Sequence, residues 1–186
     1  MKPGFVRIIG GDWRGRRIQV PDVKDLRPTP DRVRETLFNW LSPYIAGARC
    51  LDLFAGSGAL GLEAASRGAS CVVMMDESRV AIDALKIAVE TVKANNITLL
   101  CGRVPDALPR PEKPFDIVFL DPPYQSGLLT RMASFLEENH FLADNAHIYL
   151  EASAPIKDNE LPSNWRMIKN KQAGQVFYHL ALREKK

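Results

Sequence analysis

Histidine and cysteine are scarce in this chain, three of each among 186 residues, and their placing excludes more than their number. Cys50, Cys71 and Cys101 stand far apart, each in an apolar, strand-like run, so neither a Cys-x-x-Cys pair nor a disulfide framework is indicated. Reduced core thiols in a cytoplasmic protein are expected. His140, His147 and His179 lack the helical spacing and the neighbouring cysteine or aspartate of a zinc site; they are expected at the surface or on an edge strand, and no metal is expected. Long apolar runs are missing as well. Nothing reaches the roughly 18 uninterrupted apolar residues of a membrane span, and Met1-Lys2-Pro3-Gly4 carries no signal-like apolar region, so a soluble, unexported protein without a membrane partner is expected. A Walker sequence is absent, and Ala55 stands where a nucleophile elbow around Ser57 would need glycine.

What is present suits one α/β domain: 46% of the side chains are hydrophobic, enough for a sizeable core but not for a second substrate domain. The net charge of +3 is small but unevenly spread. Residues 1–20 carry Lys2, Arg7, Arg14, Arg16 and Arg17 against Asp12 alone, a local +4, and a second basic cluster follows at Arg27, Arg32 and Arg34. Arginine dominates, which suits bidentate phosphate contact and stacking. Apolar residues interleave these charges from Phe5 to Val20 around a Gly-rich turn, predicting an ordered hairpin that presents arginines and Trp13 to nucleic acid. Residues 1–26 therefore form a basic extension, and residues 27–186 the globular domain.

Thr29 is expected as the N-cap and Pro30 as the first residue of a helix burying Val33, Leu37, Phe38, Trp40 and Leu41, ended by Pro43. Strand-like runs then recur at Arg49 to Phe54, Ser70 to Asp76, Ile97 to Cys101, Phe115 to Leu120 and Ala146 to Glu151. A short helix closed by Gly68 and helices over Ser78 to Asn95 and Leu128 to Asn139 lie between them, the pattern of a doubly wound parallel sheet with helices on both faces. Trp165 to Lys169 and Gln175 to Arg183, turning at Ala173-Gly174, lack an intervening helix and should make an antiparallel hairpin at a sheet edge, about seven strands in all.

The turn after the first of these strands, Asp52-Leu53-Phe54-Ala55-Gly56-Ser57-Gly58-Ala59-Leu60-Gly61, satisfies G-x-G-x-x-G, with Asp76 twenty residues beyond Gly56. Glycines let a backbone approach a cofactor closely, and an acid ending the second strand can hold ribose hydroxyls. That much suits NAD or S-adenosylmethionine. Asp52 separates them: it could pair with the ammonium of a methionine moiety but would repel a pyrophosphate, so S-adenosylmethionine is favoured. Asp52 could instead be a capping acid. Asp76 has better spacing for the ribose than its neighbour Glu77. Directly after Phe115 to Leu120 comes Asp121-Pro122-Pro123-Tyr124. An exocyclic base amine is a poor nucleophile because its lone pair is delocalised; Asp121 and a carbonyl of the Pro-Pro unit can accept its two N–H bonds while Tyr124 stacks on the base. The plain alternative is a proline stop after a strand. Both motifs would lie at carboxyl ends of neighbouring strands, where open α/β sheets bind ligands.

Taken together, Arg7-Ile8-Ile9-Gly10-Gly11 with Trp13-Arg14-Gly15-Arg16, the block Arg27 to Leu41, the glycine turn Leu51 to Gly61, Asp121 to Tyr124 and the late Ala173-Gly174-Gln175 resemble the RsmD-type 16S ribosomal RNA guanine-N2 methyltransferases, of the class I S-adenosylmethionine-dependent, Rossmann-like fold. The resemblance covers nearly the whole chain. It implies a bacterial rRNA-processing enzyme that methylates the N2 amine of a guanine in 16S rRNA, within the small ribosomal subunit; a monomer, and in-line displacement at the methyl with the base flipped out of its stack, are expected. It also implies that the Thr29 block packs beside the cofactor. Arg103 departs from the family pattern, standing where relatives commonly place Asp or Asn for the adenine amine; arginine has no acceptor. A DNA adenine-N6 methyltransferase, an NAD-dependent oxidoreductase and a non-catalytic RNA-binding protein remain alternatives.

Overall fold

Apolar runs without polar alternation belong to strands covered on both faces, and in a computed structural model, describing residues 4–20, 29–123 and 127–185, those runs form the centre of one sheet. In chain order the elements are β1 (Gly4–Arg7), β2 (Arg17–Val20), α1 (Asp31–Leu41), β3 (Arg49–Asp52), α2 (Ala59–Ser66), β4 (Cys71–Asp76), α3 (Arg79–Val92), β5 (Ile97–Cys101), β6 (Phe115–Leu120), α4 (Leu128–Glu138), β7 (Leu142–Ala152), β8 (Trp165–Ala173) and β9 (Val176–Arg183). The main sheet has seven strands in the order β5-β4-β3-β6-β7-β9-β8. β3 to β7 run parallel, and β9 and β8 close the edge antiparallel, as expected.

Side chains alternate between the two faces of a strand, and the core divides accordingly. Cys50, Met74, Phe119 and Tyr149 pack under α1, α2 and α3, whereas Leu51, Met75, Leu120 and Leu150 pack against Met132, Ala133 and Leu136 of α4. The switch in strand order falls between β3 and β6, so the loops after those two strands open a crevice there. At the far edge, Arg183 donates to both oxygens of Glu137 at 2.8 and 3.0 Å, and the Trp165 indole donates at 3.1 Å, tying the β8–β9 hairpin to α4. Burial works against the Glu137 carboxylate, but these bonds outweigh it and hold its pKa down to about 2.

The basic extension is a separate two-stranded sheet, β1 against β2. It is nevertheless built into the core. Ile8 and Ile18 are buried with α1, and the fully buried Glu63 of α2 accepts the Ile9 and Gly10 N–H groups at 2.8 Å each. Ser66 accepts the Trp13 N–H at 3.0 Å and its carbonyl the Asp12 N–H at 2.8 Å. Gly11, at φ +74°, crosses so close to Ser66 that a Cβ would lie 1.8 Å from its carbonyl oxygen. The Ser66 carbonyl at the end of α2, unpaired within the helix, and the Ser66 hydroxyl beside it thus become part of the dock for the hairpin.

Several expectations need correction. α1 is capped by Pro30, whose carbonyl accepts from Val33 and Arg34, and no side chain caps the helix; Thr29 is displaced from that role onto the wall of the crevice. Arg34 is 1% exposed and bonds the Arg7 carbonyl and Asp31, so it belongs to the interior rather than to a basic surface. His147 and His179 are buried on interior strands, not surface or edge residues, and burial depresses both pKa values. Cys101 is exposed at the end of the edge strand β5, unlike buried Cys50. Among the described residues no His, Cys, Asp and Glu group could hold a metal ion, and no helix is long and apolar enough to cross a membrane.

Candidate functional site

A cleft of about 1280 Å³ opens over the carboxyl ends of the parallel strands. Its wall brings together Thr29, Asp52, Phe54, Ala55, Gly56, Ser57, Asp76, Glu77, Asp121, Pro122 and Pro123 from segments far apart in sequence. Tyr124 and Arg27 lie outside the described residues. A side annex of about 170 Å³ continues past Pro122 and Pro123 towards Glu160.

The glycine turn is shaped by hydrogen bonds to acids. Asp76, at the tip of β4, accepts the Gly56 N–H and the Ser78 N–H at 2.8 Å each, one on each carboxylate oxygen. Each oxygen retains acceptor capacity, so holding the turn leaves Asp76 able to take hydroxyl donors. Gly56 and Gly58 have φ of +49° and +78°, the left-handed region that glycine adopts without strain. Gly58 is the one member of the predicted set away from the wall: a Cβ there would stand 2.4 Å from Leu85 Cδ2. Gly61 lets α2 press on β4, where a Cβ would meet Met74 at 2.7 Å.

Asp52 closes β3 with 2% exposure, and its Oδ2 accepts the Gly61 N–H at 3.0 Å. The capping alternative is therefore realised, and Asp52 lines the cleft as well. Burial pushes its pKa up to about 7, against the Gly61 and Phe54 amides that pull it down and with the Asp76 charge adding to the rise. An acid at the amino end of α2 occupies the place where a pyrophosphate would sit in a dinucleotide site.

Asp121 follows β6, and Glu151 stands one residue before the end of β7, the next strand in the sheet. Burial, then the charges of Glu151 and Asp52, push the Asp121 pKa well above the ordinary carboxylate range. The sequence reading assigned no role to Glu151, Ser153 or Phe177, which line the same cleft, and none to the tip of the β8–β9 hairpin, where Gln172, Gly174 and Gln175 form the opposite rim. The one signal for Glu151 is an acid at the carboxyl end of a buried strand. Arg103 stands on the wall beside Glu77, its Nε 3.6 Å from the Glu77 carboxylate, both side chains largely exposed.

The family model described as "Conserved hypothetical protein 95" matches residues 6–182. A protein of Escherichia coli K12 named ribosomal RNA small subunit methyltransferase D is 48% identical over 181 residues, spanning 97% of this chain and 91% of the relative. This chain belongs to that family. A protein of the same name in Haemophilus influenzae is 45% identical over 183 residues, spanning 95% of this chain and 93% of its own. Among solved structures, yhhF from Escherichia coli superposes with a TM-score of 0.89 at 47% identity, over 98% of this chain and all of that one. The small-subunit methyltransferase D family thus matches the hairpin as well as the domain behind it, since the match begins within β1.

Proposed function

We propose that this protein transfers a methyl group from S-adenosylmethionine to the exocyclic N2 amine of a guanine in 16S rRNA, on the small ribosomal subunit. The carrying observation is that the glycine turn with its acids and the Asp121-Pro122-Pro123 segment line one cleft at the ends of adjacent parallel strands. The relatives' name supplies the substrate class. The residues fit an adenosyl methyl donor. Asp76, assisted by Glu77, would hold the ribose; Asp52, buried without a bonded cation in the described structure, would meet the ammonium; Phe54, Ala55, Gly56, Ser57 and Thr29 would enclose the rest, with Gly58 setting the turn. When bound, that donor supplies a methyl carbon activated by a cationic sulfur.

The chain's own share is positioning and exclusion of water. Asp121 accepts one N–H of the amine and a carbonyl of Pro122 or Pro123 the other, turning the nitrogen lone pair towards the methyl. The base is unstacked into the cleft, and Tyr124 stacks on it, returning roughly 1–3 kcal/mol of the unstacking cost. Arg7, Trp13, Arg14, Arg16, Arg17 and Arg32 are the proposed RNA contacts; the five arginines are exposed and Trp13 is half-buried. Residues 1–26 then act as an RNA-contacting extension of a methyltransferase domain over residues 27–186, and one copy suffices. Asp52 in the amino-terminal anion position of α2 favours this donor over NAD.

Equilibrium binding of S-adenosylmethionine and of NAD, with kinetics of a Tyr124→Ala variant, tests the reading. Binding of the first alone, with transfer slowed and donor affinity retained in the variant, is expected. Binding of NAD alone would reject it.

A further inference from the structure

Asp52, Asp76, Asp121 and Glu151 stand at the carboxyl ends of four neighbouring strands, and the last has no part in the reading above. Leu120 and Leu150 are paired in the β6–β7 ladder. Asp121 and Glu151 come one step later, so by strand alternation both project to the face that carries Phe119 and Tyr149. Asp52 pairs in register with Phe119 and shares that face. Glu151 is 5% exposed, and the fully buried Tyr149 hydroxyl donates to its Oε2 at 2.7 Å. That bond fixes the carboxylate where it borders both the main cleft and the annex, beside Pro122 and Pro123.

Methylation leaves a proton to be removed. As the N2 lone pair forms the N–C bond, the C–S pair returns to sulfur, and the nitrogen, now carrying the positive charge, must release one of its hydrogens as a proton. A lone surface aspartate would anchor the amine yet hold that proton weakly; a partly desolvated carboxylate beside another negative charge holds it more strongly. Resting on the amine-methylation reading, we propose that Glu151, held by Tyr149, makes Asp121 the acceptor of the proton that the methylated amine sheds. Glu151 is a positioning residue in this scheme and acts through Asp121.

The groups bearing on the pair are Asp52 on β3, Asp76 and Glu77 at the end of β4, Arg103 beyond β5, Tyr149 on β7, Tyr178 opposite Glu151 on β9, and Glu160 across the annex. Arg103 is the one cation lining the cleft among the described residues, and it contacts Glu77. Asp121 accepts a proton only while ionised, so turnover falls as pH drops through its titration. Removing the Glu151 charge moves that acidic limb to lower pH and weakens the base.

The test is a carbon-13 NMR titration of the Asp121 carboxyl in the free protein, run with the pH dependence of kcat for wild type, Glu151→Gln and Tyr149→Phe. Expected in Glu151→Gln are a titration about one pH unit lower, a tenfold loss of proton affinity, an acidic limb displaced by the same amount, and a severalfold lower plateau. Tyr149→Phe, which keeps the buried ring, should move both in the same direction by less, and it carries the comparison if Glu151→Gln does not fold. An unmoved titration, or a moved titration with an unmoved limb, overturns the proposal while leaving amine methylation intact. A wild-type protein that methylates no amine contradicts the functional reading, and the inference with it.

Discussion

Asp52 is buried and Asp121 half-buried, both at strand ends, but on the proposed reading they meet opposite partners. With Asp121 placed against the substrate amine as proposed, Asp121→Ala should slow transfer by on the order of 2–4 kcal/mol in the transition state, roughly 30- to 1000-fold, with little change in donor affinity. Single-turnover kinetics with saturating donor checks this, and near-normal rates would remove Asp121 from the mechanism. On the same proposal Asp52 would meet the donor's ammonium. Burial pushes the Asp52 pKa up to about 7 in the free protein, so a substantial share of the molecules carries a proton there near neutral pH, and pairing with a cation requires that proton to leave. Donor affinity should therefore fall as pH drops below about 7, by up to tenfold per unit, and rise no further above about 8. Isothermal titration at pH 6 in buffers of different ionisation enthalpy should register close to one proton released per donor bound. In Asp52→Asn both the release and the pH dependence should vanish.

At the scale of elements, the hairpin is a structural part before it is a binding one. Removing it would take buried Ile8 and Ile18 away from the core they share with Leu37, Phe38 and Leu41, and would leave Glu63 and Arg34 without their backbone partners, so a deletion would confound RNA contact with stability. A point change isolates the dock. Gly11→Ala needs a left-handed alanine and collides with the Ser66 carbonyl, and should lower unfolding stability by at least about 2 kcal/mol in urea denaturation. An unchanged midpoint would mean that the hairpin is not held there. The sequence reached the element pattern because apolar runs are local. Ile97–Cys101 and Phe115–Leu120 lie where the runs predicted them, and Ser78 caps α3 by accepting the Ala81 N–H at 3.3 Å. It missed the start of β7, where Asp144 and left-handed Asn145 break the apolar pattern beside a register shift. It also cut β8 short, since Asn170, Lys171 and Gln172 are exposed on an edge strand that need not alternate. Glu63 and Glu151 were illegible for another reason. Their meaning depends on partners more than fifty residues away or on an adjacent strand, which no local pattern encodes.

Over the whole molecule, a basic hairpin is fastened beside a sheet whose ligand-binding ends are acidic. The acids suit a cationic donor, and the exposed arginines suit a polyanion, so the two ligands should respond to salt differently. Replacing Arg14 and Arg16 together with alanine, both exposed, should weaken binding to small subunits uniformly and reduce the slope of log affinity against log salt by roughly 2, while donor binding stays unchanged. An unaltered slope would move the RNA contact elsewhere. The most direct measurement for the central claim is to incubate the protein with methyl-labelled S-adenosylmethionine and unmodified small ribosomal subunits, naked 16S rRNA or DNA, and to identify the labelled nucleoside after digestion. The account predicts N2-methylguanosine from the subunits, formed markedly more slowly by the Asp121→Ala enzyme; label in DNA as N6-methyladenine, or in no nucleic acid, would contradict it.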